Sequence, residues 1–550
     1  MADTDPNLSI DPNSGFCSQT KTFYSLRPHV PLPPETLPLS AAEFALSFLR
    51  NNPISPEKTT ALIDATTGHR ISYPEFIHRT ETLTASLQSL FGLSKGETAF
   101  VLSPASLQVP ILYFSLLSLG VVISPANPIS TKSEISRQIN LSKPVIAFAT
   151  SATAEKLPSF RHRTILLDSP EFQSMMTLPT GKKLTRVDVN QSDPAAILYS
   201  SGTTGRVKGV ILTHRNFIAL IAKLNPVGPD TEEEIPPHSV SLFTVPLFHV
   251  FGFFMCVSAV AVAVTVVLME RFEFEGMLKA VEAYRVTDIP VSPPLVVAMA
   301  KSEVVGKYDL SSLRLVGSGG APLGKEVMEK FSARFPDVEI GQGYGLTEST
   351  GGASRMIGPD ETKRYGSVGR VSENMEAKIV DPVTGEALPP GHQGELWLRG
   401  PTIMKDTGVS AGYVGDDKAT ASTLDSEGWL KTGDLCYFDS DGFLFIVDRL
   451  KELIKYKAYQ VAPAELEHLL QSHPEIADAA VIPYPDEEAG QIPMAFLVRK
   501  PGSNLNEAQV APYKKIRRVA FINSIPKSPA GKILRRELSD AALSGASARL

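Results

Sequence analysis

The stretch YSSGTTGRVKG, from Tyr199 to Gly209, decides how the rest of the chain is interpreted. It lies between two short apolar runs, AILYS and GVILT, and HRNFIALIAKL follows it. We interpret the two runs as buried strands and the third segment as a helix. A loop between buried strands must satisfy its own backbone N–H groups, and glycines let those groups approach a ligand closely. The stretch therefore predicts a loop that binds a polyphosphate.

Hydroxyl groups, glycine backbone and a lysine are the ligands that this loop offers. The residues predicted to bind phosphate are Ser200, Ser201, Gly202, Thr203, Thr204, Gly205 and Lys208. The loop is not a Walker A motif, because Lys208 is followed by Gly209 instead of Ser or Thr. A generic Gly/Ser turn is the alternative interpretation, and the density of polar groups disfavours it.

Helical and strand patterns alternate on both sides of this loop. The alternation starts near Phe44 and predicts α/β layers with mostly parallel strands. After Lys378 the pattern becomes rich in strands and reaches a hairpin with Asp441-Gly442 at its turn. A more highly charged α+β segment follows. We predict a Pro-rich extension over residues 1–40, a large domain over 41–447 and a small domain over 448–550.

The overall composition excludes several classes of protein. The chain has 550 residues, of which 43% are hydrophobic and 20% are charged, so more than one globular domain is expected. A net charge of −6 argues against a dedicated nucleic-acid-binding protein, which needs a basic surface. The three cysteines, Cys17, Cys256 and Cys436, are far apart and lack the spacing of metal ligands. They indicate a reducing compartment.

Two segments bear on where the protein acts. The apolar run from His249 to Met269 is interpreted as a buried helix (about 252–262) followed by a strand (about 265–269), and not as a membrane span. The last three residues, Ala548-Arg549-Leu550, have the chemical pattern of the S-K-L peroxisomal signal. We expect recognition by a peroxisomal import receptor, and otherwise a cytoplasmic protein.

Seven motifs in order carry a resemblance to a known family. They are LYSSGTTGRVKGV, VPLFHVFG, GSGGAPLGKE, GQGYGLTES, GWLKTGD, DRLKELIKYKAYQV and SIPKSPAGKILRREL. The chain resembles the adenylate-forming acyl-CoA synthetases, and within them the plant 4-coumarate–CoA ligases and their peroxisomal ligase-like relatives. The resemblance implies layered α/β subdomains with a small β-barrel, followed by a small mobile α+β domain. It also implies a ligase that uses ATP, Mg²⁺ and coenzyme A on a small carboxylic acid.

The chemistry of such a ligase agrees with the residues in these motifs. A carboxylate is already ionised at neutral pH, so it needs no general base to attack the α-phosphorus of ATP. Repulsion between the two anions is the obstacle, and positioned cations and hydrogen-bond donors remove it. By resemblance, the further nucleotide-binding residues are Gly320, Ala321, Pro322, Gln342, Gly343, Tyr344, Gly345, Thr347, Asp434, Arg449, Gln460 and Lys532, with Glu348 as the metal ligand. Alone, Thr347 could equally cap a strand-to-helix turn, and GSGGAPLGKE could be a simple Gly-rich turn.

Two lysines of the small domain are assigned to different steps by the resemblance. Lys532 would neutralise the α-phosphate and the attacking carboxylate in the first step, whereas Arg535 and Arg536 beside it are interpreted as solvated helix charges. Lys455 and Gln460 would serve the second step, after the small domain rotates about Asp448. This division assigns one face of the small domain to each half-reaction.

The sequence departs from the family pattern at two places that concern the second step. Ala458 stands where the family usually has Gly beside the pantetheine tunnel. Near residues 507–515 the chain lacks roughly eight residues of an amphipathic helix, which is about 12 Å of helix. A thiolation-impaired variant, or a pseudoenzyme that only binds nucleotide and acyl adenylate, is therefore an alternative to a complete ligase. A luciferase-like monooxygenase is a more distant one.

The acyl pocket is expected to favour apolar acids. By resemblance it is formed by His249, Phe251, Met255, Gly345, Gly351 and Gly352. His249 is interpreted either as a neutral gate at the mouth of the pocket or as a buried structural histidine. Phe251 has no hydroxyl to meet a phenol, and burying a hydroxyl without a partner is unfavourable. We expect medium or long acyl chains, cyclopentanone-type jasmonate precursors or unsubstituted cinnamate to be preferred over coumarate.

Overall fold

The structure is a computed structural model that describes residues 8–52, 59–178, 184–200, 207–224, 238–321, 323–405, 412–456, 459–486, 489–510, 516–528 and 531–543. Within these ranges, every helix is too short or too polar to cross a membrane. The apolar run after His249 forms the helix Val250–Ala261 and then the strand Thr265–Leu268, which confirms the interpretation from sequence.

Strands and helices alternate through most of the chain, as the sequence pattern predicts. The helices are α1 (Ala41–Arg50), α2 (Tyr73–Phe91), α3 (Gln108–Ser118), α4 (Lys132–Ser142), α5 (Pro170–Thr177), α6 (His214–Ala222), α7 (Val250–Ala261), α8 (Phe274–Tyr284), α9 (Pro293–Lys301), α10 (Lys325–Arg334), α11 (Gly358–Thr362), α12 (Asp417–Thr423), α13 (Pro463–Ser472), α14 (Glu507–Val510) and α15 (Arg535–Leu543). The strands are β1 (Phe16–Cys17), β2 (Thr22–Tyr24), β3 (Thr60–Asp64), β4 (Arg70–Ser72), β5 (Thr98–Leu102), β6 (Val122–Pro125), β7 (Ile146–Ala149), β8 (Thr164–Leu166), β9 (Pro194–Ser200), β10 (Lys208–Thr213), β11 (Val240–Phe243), β12 (Thr265–Leu268), β13 (Asp288–Val291), β14 (Leu315–Ser318), β15 (Glu339–Tyr344), β16 (Ser354–Arg355), β17 (Arg370–Val371), β18 (Glu376–Val380), β19 (Ala387–Leu388), β20 (Gly394–Arg399), β21 (Leu430–Phe438), β22 (Leu444–Arg449), β23 (Ile454–Tyr456), β24 (Tyr459–Val461), β25 (Ile476–Asp486), β26 (Gly490–Arg499) and β27 (Arg518–Phe521).

The phosphate-loop stretch lies at the edge of a sheet with the order β10-β9-β6-β5-β7-β8. The two predicted strands around it are confirmed as β9 and β10, but they pair antiparallel, with Ser200 opposite Lys208. The other strands of this sheet pair parallel, as expected for α/β layers. The antiparallel pairing brings Ser200 and Lys208, the first and last residues predicted to bind phosphate, next to each other.

A second sheet, of order β17-β16-β15-β14-β13-β11-β12-β3-β4, carries most of the other motifs. Its strands β13, β14 and β15 are parallel neighbours, so their carboxyl ends lie at one edge of the sheet. Ser292 follows β13, Gly319 and Gly320 follow β14, and Tyr344 ends β15. Ligands of open α/β sheets bind at this edge. Parallel pairing thus brings three distant segments of the chain together.

An antiparallel sheet with the order β1-β2-β18-β20-β21-β22 occupies the place where the resemblance implies a small β-barrel. Part of the Pro-rich N-terminal segment belongs to it, because β2 pairs with β18. Phe23 of β2 is buried, and its ring stacks on Phe438 at 4.2 Å between centroids. The N-terminal segment therefore contributes to a core and does more than cover the surface.

The small C-terminal domain is a sheet of order β24-β23-β26-β25, with β27 beside β26, covered on both faces. Side chains of β25 alternate between the two faces. Ala479 and Val481 pack in the cluster that contains α13, whereas Ala480 and Ile482 pack in the cluster that contains α15. Helix α14 has only four residues, yet its Val510 is buried in the first cluster. The short helix thus leaves this domain with a packed core on each face.

Candidate active site

A cavity of about 610 Å³ lies between the large domain and the small domain, a size suited to a nucleotide. Its walls come from the carboxyl edge of the second sheet, from the end of the antiparallel sheet and from the small domain. Predicted site residues among its lining are Gly320, Ala321, Gly343, Tyr344, Gly345, Asp434, Asp448, Arg449 and Lys532. The structure thus brings together segments that are more than 200 residues apart in the chain.

Tyr344, Asp434 and Arg449 form one polar wall of this cavity. The Tyr344 hydroxyl donates a hydrogen bond of 2.6 Å to Asp434 Oδ2, and Arg449 Nε lies 3.4 Å from Asp434 Oδ1. Burial raises the pKa of Asp434, and the Arg449 guanidinium opposes that rise. Since β21 and β22 pair with Asp434 opposite Arg449, the sheet register itself fixes the pair. An acidic acceptor held in this way suits the hydroxyls of a ribose.

Asp448, the predicted hinge residue, lies one residue before Arg449 at the end of β22 and is buried. Its carboxylate accepts hydrogen bonds from the backbone N–H of Arg449 at 2.7 Å and from that of Ala464 at 2.9 Å. Ala464 lies in the first turn of α13, where backbone N–H groups lack helical partners and an anion is favoured. Asp448 therefore joins the last strand of the large domain to the first helix of the small domain.

Lys532 reaches the same cavity from the small domain. It lies in a tight loop in which the Lys532 N–H donates to Ser528 Oγ at 3.2 Å and the Ser528 N–H donates to the Lys532 carbonyl at 2.8 Å. Gly531 has φ +80°, and a Cβ there would lie 3.1 Å from the side chain of Ser292 in the large domain. A side chain at residue 531 would thus be strained and would push the loop away from the cavity.

Charged groups around Lys532 set its protonation. Burial, together with repulsion from Arg449, lowers its pKa to about 8, while Glu452 and Asp434 act in the opposite direction. The ammonium therefore faces a partly desolvated space that holds both signs of charge. A cation in such a place interacts strongly with an incoming phosphate, because its hydration has already been reduced.

Arg535 is only partly exposed and is ion-paired, which corrects the interpretation of it as a solvated helix charge. Its Nη2 donates to both carboxylate oxygens of Glu467, at 2.8 and 2.7 Å, and its Nη1 donates to Glu452. Burial raises the pKa of Glu467, and the Arg535 guanidinium opposes that rise. Arg536, by contrast, is exposed as expected. Arg535 thus connects the Lys532 segment to α13 and to the segment after the hinge.

Glu348, the predicted metal ligand, lies beside the phosphate-loop strands. Its Oε1 accepts hydrogen bonds from Ser200 Oγ at 3.2 Å and from the Tyr413 hydroxyl at 2.8 Å. Lys208 Nζ lies 4.2 Å from the centre of the Tyr413 ring, a cation–π contact. Tyr413 was missed from sequence, since an isolated tyrosine outside the recognised motifs carries no signal of its own.

The donor set around Glu348 fits Mg²⁺. This ion is usually held by one or two carboxylates together with substrate phosphates and water, without a complete protein cage. A cage of that kind, with three or more His, Cys, Asp or Glu side chains, is not found among the described residues. One carboxylate beside the phosphate-binding strands is the arrangement that a phosphate-bound Mg²⁺ requires.

Two predicted nucleotide contacts are buried away from the cavity. The Gln342 side chain accepts a hydrogen bond from the Leu323 N–H at 3.2 Å and donates one to the Ser367 carbonyl at 3.0 Å. Gln342 therefore supports the backbone of the loop after β14, which contains Gly320 and Ala321. Thr347 is also buried, at the start of the short 3-10 turn that carries Glu348.

The predicted acyl-pocket residues lie behind the loop after Tyr344. A Cβ at Gly345 would lie 2.3 Å from the Gly351 carbonyl, and one at Gly351 would lie 2.7 Å from the Phe254 ring. Phe251 stacks on Phe254, with 5.7 Å between ring centres. Gly345 thus lines the interdomain cavity and packs against Gly351, which in turn lies against the Phe254 ring. Met255 packs against the core on the same helix, α7.

His249 is the N-cap residue of α7. Its Nδ1 accepts the Phe251 N–H at 3.4 Å, and burial lowers the pKa of the imidazole, which is therefore neutral at physiological pH. The hydrogen bond to the Phe251 N–H agrees with the interpretation of a structural histidine. It also leaves a neutral imidazole at the start of α7, the helix that carries Phe251 and Met255.

Lys455 and Gln460 lie on a different part of the small domain. They face each other across the β23–β24 pairing, and Lys455 is exposed. The backbone N–H of Lys455 donates to Gln491 Oε1 at 2.8 Å. Other predicted site residues, namely Ser201, Gly202, Thr203, Thr204, Gly205, Pro322 and Ala458, lie outside the described residues.

Comparisons with known proteins agree with this arrangement. A sequence profile of the AMP-binding enzyme family matches residues 49–406, and one of the AMP-binding enzyme C-terminal domain matches residues 465–532. The chain is 57% identical to 4-coumarate–CoA ligase-like 9 from Arabidopsis thaliana over 569 aligned positions, which cover both chains completely. It is 46% identical to peroxisomal OPC-8:0-CoA ligase 1 from the same plant, over 96% of this chain and 98% of that one.

A solved structure confirms the fold class. The ATP-bound MatB from Rhodopseudomonas palustris superposes with a TM-score of 0.80, over 92% of this chain and 99% of that one, at 25% sequence identity. Large and small domains of the same kind are thus shared with an enzyme that has been crystallised with ATP.

Proposed function

The chain belongs to the AMP-binding enzyme family, as an acid–thiol ligase of its 4-coumarate–CoA ligase-like group, and we propose that it joins an apolar carboxylic acid to coenzyme A in two steps. The observation that carries this proposal is the cavity in which Lys532 faces Tyr344, Asp434 and Arg449. The groups proposed to bind the nucleotide and a partly desolvated cation meet there.

In the first step, an oxygen of the substrate carboxylate attacks the α-phosphorus of ATP. The bond between the α-phosphorus and the bridging oxygen breaks, pyrophosphate leaves and an acyl adenylate forms. Asp434 holds the ribose, and Lys532 lies between the two anions and lowers their repulsion in the transition state. Ser200 and Lys208 hold the phosphates. Glu348 would hold Mg²⁺, which would supply positive charge close to the phosphates.

In the second step, the thiol of coenzyme A attacks the acyl carbonyl, loses its proton and displaces AMP. Because Lys532 would then stand between coenzyme A and the acyl adenylate, the small domain rotates between the steps. We place the domain boundary and the hinge at Asp448, with residues 41–447 before it and 448–550 after it. The rotation brings Lys455 and Gln460 to the site. Breaking the hydrogen bond from Ala464 to Asp448 is part of this change.

The substrate is proposed to be a fatty acid, a jasmonate precursor or an unsubstituted cinnamate. Phe251 and Phe254 give the acyl side an apolar, aromatic edge. Similarity to a relative named as an OPC-8:0-CoA ligase supports the same choice. His249 has a neutral ring at this side and would admit the carboxylate without repelling or trapping it.

The proposed location is the peroxisome of a plant cell. The C-terminal Ala548-Arg549-Leu550 is the chemical basis for import by the peroxisomal receptor. One relative named as peroxisomal supports it. Fluorescent protein fused ahead of residue 1 should enter peroxisomes, and removal of the last three residues should prevent this.

A thiolation-impaired variant is the second candidate, and one observation favours it. The alignment with the 57% identical relative has 569 positions against 550 residues here, so at least 19 positions have no residue in this chain. Helix α14 has four residues, which agrees with a shortened segment near residues 507–515. The packed cores on both faces of the small domain argue against a general loss of its structure.

One experiment distinguishes these candidates. Purified protein is given ATP, Mg²⁺ and a panel of acids, and acid-dependent ATP–pyrophosphate exchange is measured in parallel with thioester formation. A complete ligase gives both activities, and a thiolation-impaired variant gives exchange alone. Absence of both, with protection from thermal unfolding by ATP, would indicate a binding protein. A clear preference for coumarate or caffeate would contradict the proposed substrate class.

A further inference from the structure

Lys223, which directly follows α6, is a lysine in an interior position that the proposed mechanism does not use. The eight preceding buried residues of α6 are largely apolar, so the lysine ends a segment that faces the protein core. Lys223 itself is only partly exposed to solvent. Lysine side chains are rarely taken into the interior unless a partner compensates the charge.

The ammonium group of Lys223 lies at the far side of the proposed acyl pocket. A Cβ at Gly352 would lie 3.1 Å from Lys223 Nζ and 2.8 Å from Leu220 Cδ2. The preceding residue, Gly351, lies against the Phe254 ring and against Gly345, which lines the interdomain cavity. Lys223 Nζ therefore lies next to the glycine loop that the resemblance assigns to the acyl pocket.

The charges around Lys223 do not balance. Arg355 Nη2 donates to Glu373 Oε1 at 2.8 Å, so these two side chains neutralise each other. Arg355 Nη2 also lies 3.5 Å from the Lys223 carbonyl, which places the pair beside the lysine. Within the described part of the chain, Lys223 Nζ has no acceptor at hydrogen-bond distance. Of the three side chains, Lys223 is thus the one without a hydrogen-bond acceptor among the described residues.

The local environment agrees with an uncompensated cation. Burial, followed by repulsion from Arg355, lowers the pKa of Lys223 to about 7, while Glu373 acts in the opposite direction. In the part of the chain that the structure describes, Glu373 Oε2 and Arg355 Nε are also buried without a hydrogen-bond partner. An oxygen acceptor supplied by a ligand would satisfy the lysine.

We propose that Lys223 binds an oxygen acceptor at the end of the acyl substrate remote from the reacting carboxylate, and thereby selects acids that carry a distal carbonyl or carboxylate group. This inference rests on the proposed acid–CoA ligase function, because it assumes that the acyl chain extends past Gly351 and Gly352. It narrows the substrate class from apolar acids in general to apolar acids with a polar far end.

The test compares three acids of equal length: nonanoate, the corresponding acid with a terminal methyl ketone, and nonanedioate. Adenylation is measured as kcat/KM for acid-dependent pyrophosphate release by the wild type, Lys223→Met, Lys223→Arg and Lys279→Met. Lys279 is an exposed lysine of α8 and serves as the matched control. Thermal unfolding of each variant shows whether it is folded.

The wild type should prefer the oxygen-bearing acids to nonanoate. In Lys223→Met this preference should fall about tenfold or more, the factor expected for one hydrogen bond to a charged group, while nonanoate is used equally well or better. Lys223→Arg should retain the preference in part, and Lys279→Met should retain it fully. The ketone acid and nonanedioate then show whether a dipole suffices or a full negative charge is required.

An unchanged preference in a folded Lys223→Met would overturn the inference, as would a wild type that uses nonanoate best. Either result leaves the proposed function intact, since adenylation of nonanoate would still be observed. Failure of the wild type to release pyrophosphate with every acid would instead contradict the proposed function itself, and the inference with it.

Discussion

Lys532 and Lys455 belong to the same small domain, yet they lie in opposite environments. Lys532 lines the interdomain cavity, where burial and Arg449 lower its pKa to about 8. Lys455 is exposed on the strand pair β23–β24. Under the proposed mechanism, this arrangement would serve the first half-reaction. One rigid domain can present each lysine in turn, which separates adenylation from thioester formation in time.

The two lysines also differ in what holds them. The segment of Lys532 is followed by Arg535, whose ion pairs with Glu467 and Glu452 connect it to the interior of the domain. Lys455 is held, among the described residues, through its backbone, by strand pairing and the bond to Gln491. From this comparison we infer that adenylation depends on Lys532 being held rigidly before the substrate binds. Thioester formation depends instead on rotation of the small domain, which brings Lys455 to the site.

The largest effect is expected when Lys532 is removed. In Lys532→Ala, acid-dependent ATP–pyrophosphate exchange should fall by about 100- to 1,000-fold, because a preorganised cation is lost from the transition state. Thioester formation from supplied acyl adenylate and coenzyme A should be largely retained. Equal losses in both assays would show that the two lysines do not divide the steps.

A second large effect is expected on stability when Arg535 is removed. Arg535→Met leaves Glu467 buried without its partner, which should lower the free energy of unfolding by about 3–5 kcal/mol. Urea unfolding of the full chain, followed by a probe in the small domain, measures it. The exposed neighbour gives the matched control, Arg536→Met, which should be nearly neutral.

A double variant sharpens the stability prediction. Arg535→Met combined with Glu467→Met should recover most of the lost stability, because no uncompensated charge then remains buried. If the double variant is as unstable as Arg535→Met alone, packing rather than charge pairing holds the Lys532 segment in place.

A smaller loss, in thioester formation instead of adenylation, is expected when Lys455 is removed. Lys455→Ala should reduce thioester formation from acyl adenylate about tenfold, the loss of one charge-assisted contact, and should leave exchange within about twofold of the wild type. Single-turnover assays of the two half-reactions measure this. A loss in exchange larger than the loss in thioester formation would refute the assignment of Lys455 to the second half-reaction.

The smallest effect concerns pH. Lys532 is charged below its pKa of about 8 and neutral above it, so kcat/KM for adenylation should decline as the pH rises through about 8. One pH unit above the pKa, only about one molecule in ten keeps the ammonium. Lys532→Arg, which stays cationic throughout, should lack this decline. A decline that persists in Lys532→Arg would belong to another group.

Local patterns predict much of this fold. The strands around the phosphate loop, the helix α6 and the helix–strand pair after His249 follow from short-range periodicity and from flanking turn residues. The antiparallel direction of β9 and β10 also follows from the local sequence, because the connection from Ser200 to Lys208 is too short for the crossover that parallel neighbours need. The pairing of β2 with β18 is hidden, since the two strands are separated by about 350 residues of chain.

The site was predictable where a motif is contiguous, and less so where burial decides the role of a residue. Asp434, Arg449 and Tyr344 lie together as the resemblance implies. Arg535 has the same sequence signal as Arg536, and only packing distinguishes the ion-paired one from the exposed one. Lys223 ends an apolar helix, and that contrast is the signal by which it could have been found.

The pairing of β2 with β18 has a consequence for synthesis on the ribosome. Phe23 emerges early, but its partners on β18 and Phe438 are made more than 350 residues later. Until then an apolar edge near the N-terminus stays uncovered while the first α/β layers are already able to fold. Nascent chains of this protein should accordingly present that edge to chaperones for most of the time that translation takes.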